Sequence, residues 1–184
     1  MKKYVSMFLS VLMVLSLGTT AFAADISSAT VPPEPEDYGA PIEERTYYDE
    51  ELEGYVTERT YFVPDNDGIE MYSSASGSGW FKNEKSYRGW SPNPGNKATT
   101  YYAKGYFTWG NGRCDVSNWS GGYDWMPVNW SVVASGTNVT HGYGSYKDNI
   151  NYAYVTYNLK VHADYSGYKT FNVTCRISDR GDKV

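Results

Sequence analysis

Period-two alternation in residues 151–163 (NYAYVTYNLKVHA) constrains this chain more than any other feature. Ala153, Val155, Tyr157, Leu159, Val161 and Ala163 fall on one side of an extended segment. Tyr152, Tyr154, Thr156, Asn158, Lys160 and His162 fall on the other. No helix gathers either set into one stripe, so the pattern predicts an antiparallel strand covered on one face. Residues 168–178 (YKTFNVTCRIS) repeat it, with Phe171, Val173, Cys175 and Ile177 alternating with Thr170, Asn172, Thr174, Arg176 and Ser178.

The rest of the chain carries the same signature. SGSG, NPGN, GNG, SGG, SGT, YGS and SDRG separate the extended runs, as hairpins and loops require. About eight strands over roughly 114 residues predict an all-β, antiparallel two-sheet β-sandwich, immunoglobulin-like or jelly-roll-like, in preference to a closed barrel. Asn111-Gly112 predicts a type I′ turn folding residues 101–109 back on residues 113–118. In the first of these runs Tyr101, Ala103, Gly105, Phe107 and Trp109 form the core set, which leaves Tyr102, Lys104 and Tyr106 outside. Cys114 shares its phase with Val116, and Cys175 with the apolar residues of its strand. Both cysteines are expected in the core, where they admit one disulfide or two buried free thiols.

The chain opens with a positive Lys2-Lys3, an apolar run over 5–17 and Ala21-Phe22-Ala23. That is the layout of a secretory signal peptide over 1–23, cleaved after Ala23, so a secreted protein with no later membrane span is expected. Charge divides the remainder. Residues 24–72 hold fourteen acids against two arginines, net −12, whereas residues 73–184 hold seven acids against twelve bases, net +5. Residues 24–55 are read as an acidic, proline-rich flexible arm and 56–184 as the β-sandwich domain. A short echo sits at this boundary: Glu44-Arg45-Thr46-Tyr47-Tyr48 returns as Glu58-Arg59-Thr60-Tyr61-Phe62.

Catalytic patterns are sparse. The two histidines, His141 and His162, lack metal-ligand spacing, there is no GxSxG elbow, and fourteen of the 21 carboxylates lie before residue 73. The Asp65-Asn66-Asp67-Gly68 cluster fits an Asp-Gly turn better than a calcium loop. No metal, cofactor or nucleic-acid partner is expected.

Aromatic residues carry the remaining signal. All six tryptophans fall between Trp80 and Trp130, several beside Tyr, Asn, Asp and Gly. Such rings fill cores, stack on sugar faces or anchor protein interfaces. The candidate binding residues are Trp80, Trp90, Tyr102, Lys104, Tyr106, Trp119 and Trp125. The run YAKGYFTWGNGRCDVSNWSGGY, with NYAYVTYNLKV and YKTFNVTCRIS, resembles small secreted β-sandwich proteins of Gram-positive bacteria, over roughly residues 95–178. The resemblance implies fold and address, and carries over no site residues. The function expected is a non-catalytic binding protein acting at the bacterial surface, on cell-wall or extracellular glycan or on an anionic envelope polymer. A structural or self-associating protein is the alternative, which a long unprotected edge strand would favour. A glycan-active enzyme is the third class.

Overall fold

Eight strands and no helix make up the described part of the computed structural model, which comprises residues 31–65, 76–89, 98–140, 151–164 and 166–183. The strands are β1 (Glu43–Asp49), β2 (Gly54–Pro64), β3 (Ser76–Gly89), β4 (Thr99–Gly110), β5 (Arg113–Tyr123), β6 (Trp130–Thr140), β7 (Tyr152–Ala163) and β8 (Gly167–Ser178). They form a five-stranded sheet, β1-β2-β3-β4-β5, and a three-stranded sheet, β6-β7-β8, antiparallel throughout. β4 and β5 lie over β7 and β8, with the core between the sheets. The two-layer β fold expected from the alternation is present. Its strand order is a plain meander, however, without the Greek-key crossings that immunoglobulin and jelly-roll topologies require.

Local chemistry accounts for the elements. Asn111 and Gly112 both take positive φ, 52° and 72°, so the β4–β5 hairpin turns as its Asn-Gly pair dictates. The two copies of the echo become neighbouring antiparallel strands, which sets each glutamate opposite the other copy's arginine. Glu44 pairs with Arg59 at 2.7 Å on the outer side, and Arg45 with Glu58 at 2.6 Å on the core side. The repeated dipeptide is therefore self-complementary. It also moves the start of the sheet to Glu43, within the residues read as flexible arm, because a second strand satisfies the backbone that β2 would otherwise leave open. The signal segment lies outside the described residues.

The inward phase is as the alternation predicts. Tyr101, Ala103, Phe107 and Trp109 of β4 are buried in one core with Val155 and Leu159 of β7 and Phe171, Val173 and Ile177 of β8. Two aromatic clusters close the ends of this layer. Phe62, Phe81, Phe107 and Trp109 interlock at 4.4–6.1 Å, and Tyr87, Tyr101, Trp130 and Phe171 at 5.3–6.1 Å. Each buried large side chain contributes about 1.5–3 kcal/mol.

Cys114 and Cys175 are buried in this core as free thiols. Burial pushes the Cys114 thiol up to about 12 and raises Cys175 further. Neutral thiols of this kind are poor nucleophiles.

Several polar groups inside the sandwich are partnered, although Asn83 Oδ1 and Trp109 Nε1 are buried without a hydrogen bond. Glu58, 5% exposed, accepts hydrogen bonds from Arg45 Nε (2.9 Å), Arg45 Nη2 (2.6 Å) and Asn83 Nδ2 (2.8 Å). Asn83 Nδ2 also donates to the Thr174 carbonyl at 2.8 Å, which ties the two sheets together. At the β1–β2 turn, the Tyr87 hydroxyl and the Lys169 ammonium both donate to the Leu52 carbonyl, at 2.7 and 2.9 Å.

Candidate functional site

The meander leaves two broad outward faces, one on each sheet. The sequence-predicted residues belong chiefly to the five-stranded sheet. Three cross-strand rows run over β2, β3 and β4 there: Arg59, Glu84 and Tyr102; Tyr61, Lys82 and Lys104; Val63, Trp80 and Tyr106. Lys82 and Lys104 are directly opposed, an arrangement that is destabilising unless negative charge offsets it. Glu84 pairs with Lys82 at 2.7 Å, and Glu34 pairs with Lys104.

Glu34 comes from the segment before β1, which crosses this face. Tyr38 from the same segment meets Tyr61 edge-on at 6.3 Å, and Lys82 Nζ lies 5.8, 5.4 and 5.3 Å from the Tyr38, Tyr61 and Tyr102 ring centres. Burial, then the Glu34 carboxylate, raises the Tyr38 hydroxyl, and burial also raises Tyr61. The aromatic–cationic face is thus already covered by the chain's own acidic residues.

The predicted site residues differ in exposure. Tyr102 and Lys104 are on the outer face as expected and half-buried. Tyr106 has the outer phase but is only 8% exposed, and its cross-strand neighbour Trp80 is 3% exposed. The two rings meet edge-on at 5.9 Å, and the Tyr106 hydroxyl donates to Asp65 at the end of β2. Alternation identifies a side of a sheet, but large neighbours in the same row can bury each other on either side. Trp119 is 45% exposed beside Asn118, whose φ is 44°, where β5 places two residues against Gly105. Trp125 follows β5, half-buried, and Trp90 lies outside the described residues. The six described residues therefore do not converge on one open site.

The outward face of the three-stranded sheet is different. Its positions are Tyr152, Tyr154, Thr156, Asn158, Lys160 and His162 on β7, opposite Tyr168, Thr170, Asn172, Thr174 and Arg176 on β8. Ser131, Ala134, Gly136 and Asn138 of β6 extend the same face. None of these residues is acidic.

Two cation–aromatic groups mark its ends. The Arg176 guanidinium lies 5.0 and 5.4 Å from the Tyr152 and Tyr154 ring centres, and those rings are 5.9 Å apart. At the other end Lys160 Nζ lies 5.0 Å from the Tyr168 ring, which His162 meets edge-on at 5.0 Å. Thr156 and Thr174 share a 2.9 Å hydrogen bond between these groups, with Asn158 and Asn172 opposed beside them. Among the described residues no carboxylate pairs with Lys160 or Arg176.

The face is hydroxyl- and amide-rich and positively charged. Rings at both ends can lie against sugar faces, and the cations can meet anionic groups on a polymer. Sequence reasoning divided β7 into its two sides, but the tryptophan count drew attention elsewhere. The signal that identifies this face is the absence of acid from the outward phase of two consecutive strands. No family model, curated protein or solved structure matches the chain.

Proposed function

We propose that this is a secreted, non-catalytic binding protein that takes anionic extracellular glycan or envelope polymer on the outward face of β6–β8. The observation that carries this reading is the acid-free row of Tyr, Asn, Thr, Lys, His and Arg side chains on β7 and β8. Residues 73–184 hold seven acids, and none of them falls on the outward phase of β6, β7 or β8. Keeping them off one face creates a local positive field that attracts polyanions and weakens with salt. The opposite face is supported as a second, masked surface, since Glu34 already neutralises Lys104 there.

The test is calorimetric titration of the mature chain with four polymers: a sulfated polysaccharide, a uronic-acid polysaccharide, poly(glycerol phosphate) and a neutral glucan. Binding of at least one anionic polymer, weakened by salt and lost in the Lys160→Gln/Arg176→Gln double variant, is expected. Equal binding of the neutral glucan, or unchanged affinity in the variant, would overturn the reading. The three anionic polymers separate sulfate, carboxylate and phosphate as the group recognised.

A further inference from the structure

The four sheet edges are not equally guarded. β1 carries Glu43, Glu44, Arg45 and Asp49 along its length. β5 begins with Arg113 and Asp115 and is bent at Asn118. β8 carries Lys169 and Arg176, and Lys183 of the returning C-terminal segment bridges back to Ile177. Charges, bulges and covering segments are the usual means by which edge strands avoid pairing with other chains.

β6 has almost none of them. Its sequence, WSVVASGTNVT, contains no charged residue and no proline. Its one irregularity is at Val133, after which Ala134–Thr140 pairs with β7 in unbroken register. Among the described residues no strand pairs with its other side. The strand is also poorly covered by the opposite sheet, with Val132 42% and Val133 51% exposed.

We infer that β6 is a self-association edge, at which Ala134–Thr140 pairs antiparallel with the same segment of a second copy. Two features of the strand select a second copy as the occupant. An uncharged strand meets its own image with no like-charge contact, whereas pairing β1 or β5 in this way would bring repeated charges together. Antiparallel pairing of identical strands is isologous, so the contact closes at two molecules.

The pairing joins the two three-stranded sheets into one six-stranded sheet whose outward faces lie side by side. Under the binding function proposed above, the dimer presents a surface of twice the length to one polymer, and the second contact becomes intramolecular. The association itself does not depend on that reading.

The experiment is sedimentation velocity of the mature chain from micromolar to millimolar concentration, with no polymer present. A Cβ at Gly136 meets no atom within 4 Å, so Gly136→Lys and Gly136→Glu place a charge in the middle of the edge without disturbing the core. Circular dichroism melts confirm that both variants fold. The wild type is expected to dimerise, each variant to be monomeric alone, and a mixture of the two to recover a dimer.

A monomeric wild type overturns the inference, as does dimerisation that persists in both variants or open-ended growth beyond two copies. A stable dimer that binds no anionic polymer would leave the edge intact and refute only the ligand reading. Polymer binding by a strict monomer would do the reverse.

Discussion

Arg45 and Arg59 occupy equivalent places in the two echoing segments, but their partners lie on opposite sides of the sheet. Glu58 is 5% exposed, whereas the Glu44 side chain is 50% exposed. Replacing Arg45 with alanine removes both guanidinium hydrogen bonds from a buried carboxylate and leaves only that from Asn83. Breaking a fully buried pair costs about 3–5 kcal/mol. Arg45 itself is 61% exposed, so water replaces part of what is lost, and the expected cost is about 2–3 kcal/mol. Arg59→Ala breaks the exposed pair with Glu44 and a longer 3.7 Å contact to Glu84, which Lys82 still pairs, and should cost about 0–1 kcal/mol. Chemical denaturation of both variants at neutral pH measures the contrast.

Acid titration provides a second readout. Burial pushes the Glu58 carboxyl up, but hydrogen bonds from Asn83 and Arg45 and the charges of Lys85 and Arg45 outweigh it and hold the group below its usual range. A lowered native pKa stabilises the fold above the ordinary glutamate range, and that contribution fades as pH falls through the native value. The gap between wild type and Arg45→Ala should therefore be widest near neutrality and narrow in acid. Equal losses for the two arginine variants, or a gap that does not change with pH, would refute the buried-pair argument.

Three further outcomes follow from named contacts. Tyr106→Ser should cost about 1–3 kcal/mol in denaturant melts, because it opens space beside Trp80 and removes the bond to Asp65, whereas Tyr102→Ser should cost less. Native Cys114 and Cys175 should resist a thiol reagent at neutral pH and react fully once the chain is denatured, as measured by thiol titration. Gly121→Ala should lower the melting temperature by several degrees, since its Cβ would sit 2.7 Å from Tyr157 Cβ.

Much of the fold was legible because period-two alternation reports directly on burial. β4, β7 and β8 bury the residues their phase selects, and the Asn-Gly pair sets the β4–β5 turn. The meander connectivity was not readable, since alternation contains no information about which strands become neighbours. β1 was missed because its exposed, charged sequence resembles arm composition, although the echo held the clue in its reciprocal Glu-Arg pairs. Among the site residues, Lys104 and Tyr102 were placed on the correct face, but their cover by Glu34 and Tyr38 depends on contacts 70 residues apart in the case of Lys104. Tryptophan count does not report exposure, because Trp80 and Trp109 are consumed by packing.

An amide NMR titration of the isotope-labelled chain from Ala24 onward with the anionic polymer bound most tightly tests the central claim directly. Shifts confined to Tyr152–His162 and Tyr168–Arg176, spreading to β6 and diminishing with added salt, are the predicted result. Shifts centred on Lys82, Tyr102 and Lys104, with β7 and β8 unmoved, would place binding on the arm-covered face and contradict the account.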